Sequence, residues 1–286
     1  MINIHENLNG IENYFDDEFL NIIYTDIKRT KNIDLEFNRN ISEENFTENN
    51  INIFKLENYL IGSIGYTSTF LKENSMPFKE VRLISNDYNG LNPTFEIIYL
   101  KLIHNEGRII GLQIANRANI NVRLEKVKEL IEKDNSLKLL AKEKIYENQD
   151  EFNPDILNIA ALTALDQEVN SSEDIFPENL ESLVKNNEYI LDVREDYEYD
   201  NGHVKNSINI PLRELFYSQE AIPKDKEVYI YCRSGHRSAD AVNFLKSLGF
   251  KNVHNIAGGF IDISFNEFRK NKGDLTNSII TKYNFE

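Results

Sequence analysis

At 286 residues, with 41% hydrophobic and 11% aromatic side chains, the sequence has room for two compact domains with apolar cores, while its formal charge of −15 excludes the broad positive face that nucleic acid or anionic lipid requires. One cysteine excludes an internal disulfide and a cysteine-based metal site, and the five histidines are too scattered to form a metal site. No apolar run is long enough to span a bilayer, and MINIHENLNGIENYFDD has neither the basic head nor the apolar core of a secretory leader, so no membrane partner and a cytoplasmic location are expected.

Residues 1–50 form an acidic, asparagine-rich segment. Within it, FDDEFLNIIYTDIKRT places Phe15, Phe19, Ile22, Ile23 and Ile27 along one helical face, NIDLEFN alternates as a short strand, and the Asn-Glu runs over 42–50 read as a solvated linker. From 51 to 170, strands give way to helices. FEIIYLKLIHNEGRIIGLQIA is two apolar runs around Asn105-Glu106-Gly107, a hairpin signal. Asn121 is placed as the cap of a helix in which Leu124, Val127 and Ile131 recur at three and four residues. Pro154 is placed at the first position of another helix, with Ile156, Ile159, Ala160 and Leu162 buried. Strands followed by helices predict an α+β domain with helices on one sheet face.

From 172 to 275 the order alternates. FPENLESLVKNN reads as a helix, YILDV, INIPL and EVYIYC as apolar strands, RSADAVNFLKSLG as a helix closed by Gly249, and KNVHNI as a further strand. Alternation with fully apolar strands predicts an α/β domain, a parallel sheet with helices on both faces. Residues 276–286 remain as a C-terminal tail.

Cys232 stands at the C-terminal end of one of these strands, the edge at which open α/β sheets bind ligands. Only Arg233-Ser234-Gly235-His236 separate strand from helix, so the chain must curl around the sulfur, turning backbone N–H groups inward while the helix adds its positive end. Together with Arg233, His236 and Arg237, these donors favour a negatively charged, reactive sulfur at the loop centre. The competing reading is a buried structural cysteine, but an apolar core does not tolerate three such neighbours unpaired. For Arg233 and His236 the alternative is solvated surface charge. His203 reads as a structural hydrogen-bonding residue, and His5, His104 and His254 as surface or edge residues.

The runs LDVREDYEYDNGHVKNSINIPL, YCRSGHRS and GFKNVHNIAGG, in that order, resemble a rhodanese domain over about 173–270. The resemblance implies that Cys232 is the nucleophile and holds a persulfide. It further implies that the amides of Arg233, Ser234, Gly235, His236 and Arg237 cradle the sulfur. Arg233 and His236 would face an entering sulfur-containing anion or persulfide, and Asp192 and Arg194 would orient the loop. The family's tryptophan after the GG pair is missing, and Phe260 or Phe265 is expected to fill its space. Related cysteine phosphatases resemble C-x5-R, whereas Arg237 follows Cys232 as C-x4-R; the smaller ring suits a terminal sulfur, which leaves phosphatase or arsenate reductase activity as a minor alternative.

IYLKLIHNEGRIIGLQIANRANINVRLEKV, Tyr146 and FNPDILNIAALTAL are similar to the C-terminal dimerisation domain of pyridine nucleotide-disulfide oxidoreductases, in particular of coenzyme A-disulfide reductases with a fused rhodanese domain. Tyr146, Asp155 and Asn158 keep the spacing seen there, and FDDEFLNIIYTDIKRTKNIDLEFN is similar to a helix and strand of that family's NADH domain. The resemblance implies a homodimer. Ile156, Ile159, Ala160 and Thr163 form either its interface or simply core, and Tyr146 is either an active-site remnant or structural. No GxGxxG occurs, since Gly62-Ser-Ile-Gly65 has the wrong spacing, and the family's redox cysteine has no counterpart. No flavin, nicotinamide or metal cofactor is therefore expected. The resulting expectation is a rhodanese-type sulfurtransferase or persulfide carrier that passes sulfur to a thiol, with a separate flavin-dependent reductase as a possible partner. The alternative is a non-catalytic dimerising relic, or a partner subunit of such a reductase.

Overall fold

The computed structural model of the protein describes residues 15–31, 51–89, 92–147, 149, 154–170 and 174–285. The strand expected over NIDLEFN and the linker over 42–50 lie outside the described residues, as does His5. The chain divides into two compact units, Met1–Val81 with Ser85–Leu165, and Arg82–Ile84 with Asp166–Glu286.

The first unit begins with α1 (Asp17–Lys31), followed by β1 (Asn52–Leu56), β2 (Tyr59–Gly65), α2 (Ser68–Glu73), β3 (Lys79–Asn89), β4 (Asn92–Asn105) and β5 (Arg108–Asn116). The helices α3 (Asn121–Lys133), α4 (Leu137–Leu140) and α5 (Ile156–Asn170) come next. The five strands form one sheet in the order β1-β2-β5-β4-β3, with antiparallel pairing between β1 and β2, β2 and β5, and β4 and β5. Asn105 pairs with Arg108, so the turn is Glu106-Gly107 alone. Both residues have positive φ, 49° and 75°, the conformation that matches a two-residue hairpin to strand twist. Gly62 and Gly65 serve packing: a Cβ on Gly62 would lie 2.4 Å from Leu124 Cδ1, and one on Gly65 would lie 2.2 Å from the Ile110 carbonyl oxygen.

Two caps differ from expectation. The chain turns one residue before Asn121, at the buried Ile120, whose φ and ψ of −106° and −10° are already helical, and Asn119 Oδ1 accepts the Asn121 N–H at 2.8 Å. Pro154 precedes the start of α5, and Asp155 provides the cap by accepting the Leu157 N–H at 3.0 Å. On α1, Phe15, Phe19, Ile23 and Ile27 are buried and Ile22 only half so; Phe15 meets the Phe54 ring edge-on at 5.1 Å. On α5, Ile156, Ala160 and Thr163 are buried within the chain, whereas Leu162 is exposed, because a helix bound on one side turns every third or fourth residue outward. His104 is fully buried, since β4 is an interior strand.

Charged side chains are enclosed in this unit. Lys101 Nζ lies 2.9 Å from Asp16 and 3.0 Å from Glu80, and Asp16 also accepts the N–H groups of Ser68 and Thr69. Burial opposes ionisation of Asp16, but the charge and hydrogen bond of Lys101 and the bonds from Thr69 outweigh it and hold the carboxyl at about 2. Arg123 donates to both Asp87 and Asp155, and its guanidinium lies 5.3 Å from the Tyr146 ring centroid. Among the described residues the buried Tyr146 hydroxyl has no hydrogen-bond partner; burial pushes it up to about 12, with Arg123 opposing and Asp155 and Asp87 reinforcing the shift. Asn158 bridges the Leu140 and Glu143 carbonyls.

In the second unit a 3-10 turn at Pro177–Asn179 leads into α6 (Leu180–Lys185), β6 (Tyr189–Asp192), α7 (Asp196–Asp200) and β7 (Ile208–Asn209). Then follow α8 (Leu215–Ser218), β8 (Val228–Tyr231), α9 (His236–Ser247), β9 (Val253–Asn255) and α10 (Gly259–Asn271). The strands run parallel in the order β7-β6-β8-β9. Alternation along β6 and β8 splits the core: Leu191, Val228 and Ile230 pack with Val242 and Leu245 of α9, while Ile190 and Tyr231 pack with Phe260 and Ile263 of α10 and Leu180 of α6. Both sheet faces are therefore covered by helices, and the whole is an α+β unit followed by an α/β unit. Among the described residues no helix is long and apolar enough to cross a membrane.

Candidate functional site: the Cys232 loop

Strand β8 delivers Cys232 to its C-terminal edge, and Cys232–Gly235 turn directly into α9. The thiol is fully buried. Its Sγ accepts the Gly235 N–H at 3.1 Å and the Ser238 hydroxyl at 3.4 Å. Gly235 makes the curl possible with φ at 96°, a left-handed conformation that a side chain would strain.

A second clamp holds the loop from behind. The first turn of α10 donates Phe260 N–H to the Cys232 carbonyl at 2.8 Å and Ile261 N–H to the Arg233 carbonyl at 3.1 Å. Such close approach needs the GG pair: Gly259 has φ 61°, and a Cβ there would lie 2.6 Å from the Arg233 carbonyl carbon.

Beside the loop lies a cleft of about 330 Å³ with Arg233 and Arg237 in its wall, joined by Arg194, Glu198, Tyr197 and Asn284 and by the apolar Phe260 and Ile261. Arg237 makes a two-pronged ion pair with Glu198, each N–O distance 2.7 Å. That hydrogen bonding raises the Arg237 pKa against the effect of burial. Burial raises Glu198, but the bond from Arg237 outweighs it and holds the carboxyl below its ordinary range. Arg194 is paired with Asp192, donates to the Gly202 carbonyl at 2.7 Å, and lies 4.2 Å over the Phe260 ring. Asn209 ties this strand end by donating to the Asp192 and Arg194 carbonyls.

The structure thus brings Cys232, Arg233, Gly235, Arg237 and Arg194 together, with Asp192 behind them and Ser234 half-buried in the loop. His236 is not in the cleft wall. As the first residue of α9 it lies along the helix surface, with Nε2 3.9 Å from Asp240 one turn on. Phe260, directly after the GG pair, lies under Arg194 and 5.9 Å from Tyr231, whereas Phe265 packs on Phe285. His203 stacks on Tyr199 and bonds its carbonyl. His254 pairs with Glu227.

Sequence reasoning passed over Glu198, Ser238, Tyr197 and Asn284. Glu198 carries a readable signal, because Glu195 and Glu198 form a reciprocal capping box at the start of α7. Asn284 carries none, since the tail reaches the cleft only through tertiary folding.

Residues 176–264 match the model of the rhodanese-like domain. "Putative sulfurtransferase YtwF" of Bacillus subtilis is 38% identical over 73 residues, which are 26% of this chain and 70% of that protein. Reduced CoADR-RHD of Bacillus anthracis superposes with a TM-score of 0.67 at 28% identity, covering 75% of this chain and 39% of that one. The NAD-dependent persulfide reductase of A. fulgidus gives a TM-score of 0.60 at 27% identity, with 73% and 38% covered. The chain therefore spans about two fifths of the length of either structure. By the match over 176–264 and the likeness to YtwF, the chain belongs to the rhodanese-like family, and by its likeness to CoADR-RHD it corresponds to the C-terminal part of a coenzyme A-disulfide reductase–rhodanese fusion.

Proposed function

We propose that the chain is a rhodanese-type sulfurtransferase or persulfide carrier that accepts sulfane sulfur on Cys232 and passes it to a thiol. The observation that carries this reading is the Cys232 Sγ at the centre of a curled loop, under the Gly235 N–H and the Ser238 hydroxyl and at the start of α9. In the first step the Cys232 thiolate attacks the outer sulfur of a donor. The new S–S bond forms as the donor's own S–S bond breaks, and the donor's remainder leaves with the bonding pair, as sulfite from thiosulfate or as a thiolate from an organic persulfide. In the second step an acceptor thiolate attacks the outer sulfur and Cys232 departs as thiolate. The loop amides, the helix end and Arg237 offset the negative charge at the outer sulfur. Asp192 and Arg194 set the loop's position.

The same reading makes the first unit a module for self-association, places the protein in the cytoplasm as a homodimer, and gives it a flavin-dependent reductase as partner. The similarity to CoADR-RHD and to a persulfide reductase supports it. The test is the intact mass of the protein after exposure to thiosulfate, polysulfide or coenzyme A persulfide, beside Cys232→Ser. The expected result is a gain of one sulfur atom, removed by cyanide or dithiothreitol and absent in the variant. A wild-type chain that loads from no donor would refute the transfer reading and favour a dimerising relic.

A further inference from the structure

The second unit takes in three residues from far back in the chain, Arg82–Ile84, and the first of them reaches the floor of the Cys232 loop. The Arg82 carbonyl accepts the Gly258 N–H at 3.1 Å. Its guanidinium lies 4.1 Å over the Phe176 ring, and Nη1 donates to Glu178 at 3.1 Å. The amide before Gly258 is held from the same side, since Ala257 N–H donates to the Ile175 carbonyl at 2.9 Å. Ile175, Phe176 and Glu178 belong to one short segment, so a closed ring results: the Arg82 side chain grips that segment, the segment grips Ala257, and Gly258 returns to the Arg82 carbonyl.

This ring holds the turn that clamps the loop. Immediately after Gly258 and Gly259, the Phe260 and Ile261 N–H groups donate to the Cys232 and Arg233 carbonyls. From the other side, a Cβ on Gly235 would lie 3.0 Å from the Gly258 nitrogen and 3.5 Å from the Arg82 carbonyl oxygen. The loop therefore runs directly over the bond between Arg82 and Gly258, at the residue whose N–H the Cys232 Sγ accepts. Gly258 is buried, and a buried N–H that loses its acceptor is costly enough to move the backbone that carries it. Arg82 is itself only 7% exposed. An enclosed guanidinium must keep its partners, so the ring of Phe176 and the carboxylate of Glu178 fix where Arg82 sits and which way its carbonyl points.

We infer that Arg82 is a positioning residue for the Cys232 loop, acting through Gly258 and the GG turn. The expected effect on rate rests on the sulfur-transfer reading above; the expected effect on loop order does not.

The experiment uses the full chain and two readouts, hydrogen exchange at the Gly235, Gly258, Phe260 and Ile261 amides and quenched intact-mass kinetics of Cys232 loading from thiosulfate or polysulfide. In Arg82→Ala these amides are expected to exchange roughly three- to tenfold faster, the worth of one neutral hydrogen bond, while β6 and the rest of α9 keep wild-type protection. The maximal loading rate is expected to fall by a similar factor, roughly three- to tenfold, with KM unchanged, because the loop is misplaced and the donor's own contacts are not. Arg82→Lys keeps a cation over Phe176 and a single nitrogen for Glu178, and is expected to stay within about twofold of wild type in both readouts. Glu178→Gln leaves the ring contact intact and should shift both readouts in the same direction by less, which keeps the test available if Arg82→Ala does not fold. Unchanged exchange at the four amides, faster exchange spread evenly over the second unit, or a rate loss confined to KM would overturn the inference. A wild-type chain that loads from neither donor would instead strike the sulfur-transfer reading, and exchange alone would then decide the role of Arg82.

Discussion

The two units use buried charge differently. In the first, each cluster sets one cation between two carboxylates, Lys101 between Asp16 and Glu80 and Arg123 between Asp87 and Asp155, all nearly inaccessible. The extra negative charge is met by N–H donors, from Ser68 and Thr69 to Asp16 and from Leu157 to Asp155. Such clusters tie elements together and leave no cation for a ligand. In the second unit Arg194 and Arg237 each have one carboxylate, Asp192 and Glu198, and together with Arg233 they line an open cleft. Pairing one to one fixes a guanidinium in place while leaving part of its edge for a substrate. The difference separates a scaffold from a site.

The largest expected effect tests the enclosed side of this contrast. Arg123→Ala leaves Asp87 and Asp155 buried together without their shared cation, which should destabilise the first unit by about 3–5 kcal/mol, measured by urea unfolding at pH 7. Sulfur loading of the folded fraction should be unchanged; a loss of loading would mean that the first unit's ionic core contributes to the site. The next effect is smaller and depends on pH. The Asp16 carboxyl moves from 3.8 to about 2 on folding, so its stabilisation is present above about pH 4 and is lost as the pH falls toward 2. The shift corresponds to roughly 2 kcal/mol. Asp16→Asn should therefore be less stable than wild type at pH 7 and should show a flatter stability profile between pH 4 and 2. Parallel profiles would show that Lys101 holds α1 without help from the Asp16 charge.

Much of both units was legible in the letters because their signals are local. Glu106-Gly107 demanded a tight hairpin, the apolar run at 228–231 demanded a strand covered on both faces, and the short step from Cys232 to His236 demanded a curled loop. The misreadings arose where tertiary packing chose between local options. Burial of Ile120 moved the cap of α3 from Asn121 to the residue before it, and the carboxylate of Asp155 made the residue after Pro154 the cap. His104 looked like an edge residue because no nearby residue shows that β4 has a strand on each side. Asn284 was invisible for the same reason, since its place in the cleft depends on Glu267, His203 and Phe268, all distant in sequence.

The smallest effect in stability is the most informative about the site. Glu198 holds Arg237 by two bonds and belongs to the capping box of α7, yet the pair is partly exposed, with side-chain exposures of 12% and 31%. Glu198→Gln should therefore change stability by less than about 1 kcal/mol. Its rate effect should be larger, because glutamine can accept only one of the two bonds and donates where the second acceptor stood, leaving Arg237 free to swing from the loop. A loss of about tenfold in the rate of Cys232 loading, equivalent to roughly 1.4 kcal/mol in the barrier, is expected, with little change in KM if Arg237 acts mainly once the outer sulfur has entered the loop. The deficit should be constant above pH 5, since Glu198 titrates below the ordinary carboxylate range. An unchanged rate would place Arg237 with Arg123, as a clasp between elements, and would leave Arg233 and the loop amides to hold the sulfur.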